Sequence, residues 1–240
     1  MGVLSKRRRA WPGATVVALL LLATTASAQD LLVRNATVHT ASARGSLQNA
    51  DVLVQGGIIR AVGNGLSAPA GASVVEANGR PLTPALFGGI TETGIEEVSG
   101  ESSTVDSSLK LGEQPLRPEF DVTLAYNPAS VLIPVTRLEG IGFTALGAAT
   151  GGGFVAGQGG VMRLDGSTDP IGPRALFLRI GAAASELTGH SRAAQWMLLQ
   201  QMIDEARGQV AADSPHALLT PPGRRTLSRY LAGQGRIVVE

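Results

Sequence analysis

RPLTPALFGGITETGIEEVSG, residues 80–100, separates two parts of this sequence that have different patterns. Pro81 and Pro84 mark the exit from a series of short strands. ALFGGI then has the length of a buried strand, and its two glycines indicate that another chain segment or a ligand approaches the backbone closely. The polar residues that follow, 91–117, form a long excursion of the kind that is functional or disordered. The segment therefore predicts the start of a second structural unit, and it contains neither histidine nor cysteine.

The residues before this segment predict a small β unit. DLLVRNATVHTAS is rich in apolar and β-branched residues, and DVLVQGGIIRAVG places two apolar runs around Gly56 and Gly57. Two glycines between such runs indicate a hairpin, because the tight turns that match strand twist need positive φ angles. ASVVEANG adds another short strand. We therefore predict a β-sandwich-like subdomain over residues 29–83.

The first 28 residues have the pattern of a secretory signal peptide. Four basic residues, 6–9, precede an apolar run, and Ala26-Ser27-Ala28 is the small-x-small pattern at which signal peptidase cleaves. The apolar run is shorter than the roughly 20 residues that span a bilayer, so we expect no stable membrane anchor after cleavage. The sequence thus predicts an exported protein, periplasmic or secreted.

Composition narrows the possible functions further. The 28 residues contain four basic and no acidic residues, so their removal changes the net charge from +1 to −3 over the remaining 212 residues. This balance argues against a nucleic-acid partner, which would need a basic stripe. With no cysteine there is no disulfide, no thiolate nucleophile and no cysteine metal site.

The second half of the chain predicts strands that alternate with helices. NPASVLIPVTRLEG has the pattern of a helix broken by Pro134, and GFTALGAATGGGFVAGQGGVMRLDG predicts a strand, a glycine-rich turn and a second strand. Ser191 can cap a helix through Arg207. A further helix begins at Pro221 and ends near Ala232, before the strand RIVVE. Alternating strands and helices indicate βα units and a parallel sheet, which is an α/β fold.

The predicted helix after Ser191 has one apolar face. Trp196, Leu199 and Ile203 recur at helical spacing, together with Ala206. We interpret this face as core rather than as a ligand site.

Several motifs together resemble the amidohydrolase superfamily, in particular its imidazolonepropionase-like, secreted members. VLVQGGIIRAVG and VVEANGRPLTPALFGGITETG carry residues where that family has them: Gly57, Ile58, Val62, Gly63, Val75, Gly79, Thr83, Pro84 and Leu86. The resemblance covers most of residues 31–165. It implies the first half of a (β/α)8 TIM-type barrel over residues 84–240, in a family that hydrolyses C–N bonds other than peptide bonds at a metal-bound water.

The resemblance also places the family's first metal ligands, a His-x-His pair, at Ile90 and Glu92. Alternate strand residues point to the same side, so such a pair directs two imidazoles at one ion. Ile90 has no donor atom, and a single carboxylate makes a poor zinc site. We therefore predict that the chain holds none of the zinc or similar divalent metal that the family uses, and that it is inactive as a hydrolase.

Two further interpretations follow from the same residues. The barrel mouth can serve as a non-catalytic binding or scaffold surface for a small molecule, lined by Thr91, Glu92 and Gln158, because function in this fold sits at the carboxyl ends of strands. Alternatively, the chain is a fragment that ends within RIVVE and does not fold alone, since half a barrel leaves unpaired edges. We expect His39 to be a surface or interface residue, His190 to be exposed or to cap a helix, and His216 to be solvated. None of them is expected to replace the metal ligands. No oligomeric state is assigned.

Overall fold

The computed structural model describes residues 29–109, 116–149, 154–182 and 185–240, which form a mixed α/β protein. The chain divides into two compact units between Pro84 and Ala85, one residue after the predicted start of the second domain. The predicted signal peptide, residues 1–28, lies outside the described residues, as do residues 151–153 of the glycine-rich segment. None of the helices in the described ranges is long and apolar enough to cross a bilayer.

The first unit contains one five-stranded sheet with the order β3-β2-β1-β4, in which β5 also pairs with β1. The strands are β1 Leu31–His39, β2 Ser46–Gln55, β3 Ile58–Gly63, β4 Ser73–Glu76 and β5 Pro81–Leu82. β1, β2 and β3 are antiparallel neighbours, whereas β4 and β5 run parallel to β1. The predicted hairpin is confirmed, since Gly56 and Gly57 have φ angles of 56° and 77°. A second sheet that would complete a sandwich is not found among the described residues of this unit.

A buried carboxylate on β2 binds both the neighbouring strand β1 and the loop that follows β3. Asp51 on β2 accepts hydrogen bonds from the backbone N–H of Asn35 at 3.0 Å and of Leu66 at 2.9 Å. The bond from Asn35 is the main cause that lowers the pKa of Asp51, because it stabilises the charged form. The apolar side chains beside it form a small core of Ala36, Val38, Ala50, Val52 and Ala77.

The second unit contains a mixed five-stranded sheet in the order β10-β9-β8-β7-β6. The strands are β6 Leu86–Thr91, β7 Ile141–Leu146, β8 Val155–Arg163, β9 Ile171–Leu178 and β10 Arg236–Val239. Only β6–β7 and β9–β10 are parallel pairs, whereas β8 runs antiparallel to both of its neighbours.

The prediction of a parallel sheet therefore holds for the two outer strand pairs and was wrong for β8. Residues 147–154 and 164–170 are the only links into and out of β8. They are shorter than the dozen or more residues that a parallel crossover needs, so consecutive strands turn back on each other. The described residues thus depart from the half (β/α)8 barrel that the resemblance implied, although the α/β class holds.

The described part of the second unit contains three α-helices: α1 Leu132–Leu138, α2 Arg192–Ala206 and α3 Pro221–Leu231. The predicted break at Pro134 was wrong, because this proline lies in the first turn of α1, where a backbone N–H has no partner within the helix. The cap of α2 is confirmed, since the Ser191 hydroxyl accepts from the backbone N–H of Ala194 at 3.2 Å. The bounds of α3 are confirmed as well, with Gly233 after it at a φ of 80°.

The face that α2 turns to the core matches the prediction in part: Leu199 and Ala206 pack against an apolar cluster, but Trp196 does not. Trp196 is 59% exposed, whereas Gln195, Met202 and Glu205 are buried. Gln195 donates to the carbonyl of Gly181 at 2.8 Å and accepts from its N–H at 3.0 Å. Buried polar groups need such partners, and these bonds hold Gln195 on the inward side of α2 together with Met202.

The central strand β8 is almost wholly buried and rich in glycine. Residues 155–160 are all buried, with one apolar cluster on each side of the sheet. A Cβ atom at Gly159 would overlap the backbone carbonyl of Leu146 on β7 and come within 2.8 Å of the Phe177 ring. The glycine is therefore required by the spacing of the strands.

Gly159→Ala should lower the free energy of unfolding by about 1–3 kcal/mol, because the new methyl group forces β7 and β8 apart. Gly100→Ala is a matched control, since a Cβ there would have no atom within 4 Å. It should change stability by less than about 0.5 kcal/mol. Chemical denaturation of both variants measures the difference, and equal losses would contradict this account of the sheet.

Candidate functional site

The carboxyl end of β6 is fixed by hydrogen bonds to β7. The hydroxyls of Thr91 and Thr144 lie 2.8 Å apart, and Thr144 also donates to the carbonyl of Gly89 at 2.9 Å. The carbonyl of Glu92 then accepts from the backbone N–H of Ile95 at 2.9 Å and of Glu96 at 3.0 Å. This turn brings the Glu96 segment back beside the end of the strand.

A cavity of about 460 Å³ lies at this strand end. Its lining residues are Ile90, Thr91, Glu92, Thr93, Glu96, Glu97, Ser99 and Leu132. Ile90, Thr91 and Glu92 thus line one cavity. Its lining contains three carboxylates, those of Glu92, Glu96 and Glu97. Such a lining favours a cation or a hydrogen-bond donor over an anion.

The carboxylates of this cavity have unequal environments. Partial burial raises the pKa of Glu92, and the carboxylate of Glu96 raises it further, whereas Arg179 lowers it. Glu96 accepts a hydrogen bond from the Ser107 hydroxyl at 3.3 Å. Glu97 has a buried Oε1 atom without a hydrogen-bond partner among the described residues. The environment of Glu92 therefore favours its neutral form.

Arg179 lies at the same end of the sheet as Glu92, and the sequence analysis missed it. It directly follows β9, and its Nε atom lies 3.4 Å from the carboxylate of Glu240, which directly follows β10. The strands β9 and β10 run in the same direction as β6, so the carboxyl ends of all three lie at the same end of the sheet. The position of a basic residue directly after the apolar run ALFL was the signal that could have indicated it.

Gln158 belongs to a different part of the second unit. It is buried, and it does not line the cavity that contains Thr91 and Glu92. Its side-chain amide donates to the carbonyl of Glu119 at 3.4 Å and accepts from the Tyr230 hydroxyl at 3.0 Å. Burial raises the pKa of Tyr230 to about 12, so this hydroxyl remains a donor at physiological pH.

The polar network around Gln158 was also missed. Asp121 accepts from the guanidinium of Arg174 at 2.9 Å, and Glu119 pairs with Arg117 at 3.1 Å. These residues lie far from Gln158 and Tyr230 in the sequence and form no motif there. Only the fold brings them together, so no local pattern could have revealed them.

The residues at the end of β6 do not fit a zinc site. Ile90 is 50% exposed at the cavity and has only carbon atoms in its side chain. Within the described ranges, no three histidine or carboxylate side chains are arranged to hold a metal ion. The imidazoles of His39 and His190 lie 2.8 Å from the hydroxyls of Ser46 and Ser185. Both histidines and His216 are exposed, and none lines the cavity.

Comparison with solved structures shows a likeness to an amidohydrolase from Thermotoga maritima. The TM-score is 0.65 at 19% identity, over 84% of this chain and 55% of that chain. The two proteins are similar in fold. This chain thus spans little more than half the length of that amidohydrolase.

Two other matches have much lower TM-scores. A triazine hydrolase from Arthrobacter aurescens matches with a TM-score of 0.32 at 15% identity, over 88% of this chain and 46% of that chain. An L-hydantoinase from the same organism matches with a TM-score of 0.32 at 12% identity, over 89% and 41%. TM-scores this low do not establish a shared fold. No family model matches the sequence, and no curated protein does so either.

Glu92→Gln should stabilise the protein at neutral pH. Because the pKa of Glu92 in the folded state lies above its ordinary value of 4.5, ionisation disfavours folding as the pH rises from about 4.5 through the folded-state value. The variant should therefore unfold at a higher temperature than the wild type near neutral pH, and the difference should vanish at a pH of about 3.

Glu101→Gln is the control for this prediction. Hydrogen bonds from Ser103 lower the pKa of Glu101, so its ionised form favours folding, and the variant should gain no stability at neutral pH. Thermal unfolding over a pH series measures both variants. Equal behaviour of the two would contradict the environment described for Glu92.

Proposed function

We propose that this chain is an exported, imidazolonepropionase-like member of the amidohydrolase superfamily that lacks the catalytic metal site. The fold likeness at a TM-score of 0.65 supports the superfamily, and the motifs around Gly57 and Pro84 support the subfamily. The family's activity, hydrolysis of C–N bonds other than peptide bonds, requires a metal-bound water. The single observation behind the loss of that activity is Ile90, which lines the cavity at the end of β6 beside Glu92.

The chemistry of Glu92 supports the same conclusion. A metal ligand must be deprotonated, and its affinity depends on the free energy of that step. The environment of Glu92 raises its pKa and so makes deprotonation less favourable. With no nitrogen donor at Ile90, one carboxylate of this kind cannot replace two imidazoles.

The cavity instead supports a binding role. Its volume of about 460 Å³ lies within the range of small-molecule sites, and its carboxylates suit a ligand with an amine or another cationic group. Thr91 and Glu92 are the polar contacts of this role. Gln158 does not line this cavity, and its side-chain amide is hydrogen-bonded to Glu119 and to Tyr230 of α3.

Metal retention tests the proposed loss of the catalytic site. After incubation with zinc and gel filtration, the wild-type protein should retain well below one zinc ion per chain by elemental analysis. The double variant Ile90→His/Glu92→His introduces two imidazoles at the strand end and should retain more zinc than the wild type. One zinc ion per wild-type chain that is lost in Glu92→Ala would overturn the proposal.

Thermal-shift screening of small amines tests the binding role. Glu92→Ala should weaken binding of an amine that stabilises the wild type, because it removes a carboxylate from the cavity. Glu101→Ala, which changes an exposed carboxylate outside the cavity, should leave binding unchanged. Equal binding by the wild type and both variants would contradict the binding role of Glu92. It would not be evidence for a metal site.

A further inference from the structure

A second cavity, of about 640 Å³, lies between the end of α2 and α3, and neither the metal positions nor the β6 site uses it. Arg224, Arg225, Ser228 and Arg229 of α3 form one side. Glu205 near the end of α2, with the apolar loop that follows, forms the other side. The lining thus contains three arginines and one carboxylate.

The carboxylate of Glu205 is fully engaged within the protein. Glu205 is 1% exposed and accepts from the backbone N–H of Leu218 at 2.8 Å and of Leu219 at 3.0 Å. It also accepts from the side chain of Gln201 at 3.1 Å and pairs with Arg224 at 3.2 Å. Its charge is therefore compensated by these donors and by Arg224, and it is not available to the other two arginines.

Arg224 forms a rigid part of the cavity wall. Besides the ion pair with Glu205, its guanidinium donates to the carbonyls of Val210 at 2.6 Å and Ala211 at 3.1 Å. Its Nε atom is buried and has no hydrogen-bond partner within the described residues. The Nε–H group of Arg224 thus has no hydrogen-bond acceptor among the described residues.

Arg225 and Arg229 bring uncompensated positive charge to the same cavity. Both are exposed, and neither forms an ion pair with any residue in the described ranges. Arg229 donates only a long hydrogen bond of 3.4 Å to Thr226. Like charges four residues apart on a helix repel each other, so the pairing of Arg225 with Arg229 does not stabilise α3. Asp213, the next acidic residue along the loop, does not line the cavity.

We propose that this cavity binds the phosphate group of a small organic phosphate ester. Two unpaired guanidinium groups match the charge of a phosphate dianion, and the planar fork of arginine donates two hydrogen bonds to such a group at once. The Ser228 hydroxyl, between them on α3, supplies a further donor. The apolar loop on the opposite side accommodates the organic part, in a cavity of the size that small-molecule sites have.

The test is calorimetric titration of the full chain with glycerol 3-phosphate at constant ionic strength, so that general screening stays the same. The wild type should bind saturably, and Arg225→Gln/Arg229→Gln should weaken binding by about tenfold or more. Arg192→Gln/Arg236→Gln is the matched control, because it removes the same charge from exposed arginines that do not line the cavity. This control should bind within about twofold of the wild type.

Ser228→Asp provides a second, independent variant. It places a carboxylate between the two arginines, where it competes with the ligand, and it should also weaken binding while the fold remains intact by circular dichroism. The proposal is overturned if the wild type shows no saturable binding, or if the control double variant loses as much affinity as Arg225→Gln/Arg229→Gln. It is also overturned if folded Ser228→Asp binds as well as the wild type.

Discussion

The close approach of β8 to β7 at Gly159 is the constraint on which the second unit depends. No side chain fits between this residue and the carbonyl of Leu146, so the two strands pair tightly and β8 occupies the buried centre of the sheet. β8 runs antiparallel to β7 and β9, and the strands β6 and β10 lie at the two edges of the sheet. The ends of β6, β9 and β10 then share one side of the sheet, which places Glu92 within the electrostatic influence of Arg179 and Glu240.

Local signals in the sequence predicted individual elements well. The paired glycines at 56–57 encode a hairpin because their φ angles are positive, and Ser191 encodes a helix start because its hydroxyl accepts the orphaned N–H of Ala194. The direction of β8 was predicted wrongly, although the short links on either side of this strand already exclude parallel crossovers. Periodicity alone could not predict strand direction, since it shows which residues are apolar and not whether the next strand runs parallel or antiparallel.

Burial of polar groups explains the other differences. Trp196 of the predicted apolar face of α2 is exposed. Gln195 and Glu205 turn inward instead, to partners that lie in distant loops. The same holds for Gln158, whose bond to Tyr230 joins residues 72 positions apart. Such contacts depend on the finished fold, so the sequence indicated Thr91 and Glu92 as neighbours but could not separate Gln158 from them.

The proposed loss of the metal site rests on the two residues, Ile90 and Glu92, at the positions that the resemblance assigns to the first metal ligands. The structure is similar to that of an amidohydrolase, and the position that the resemblance assigns to a metal ligand holds Ile90, which has no donor atom. A zinc-soaked crystal measured above and below the zinc absorption edge tests this directly. The account predicts no anomalous peak at the end of β6 within reach of Glu92. A strong peak there, with Glu92 as a ligand, would contradict it.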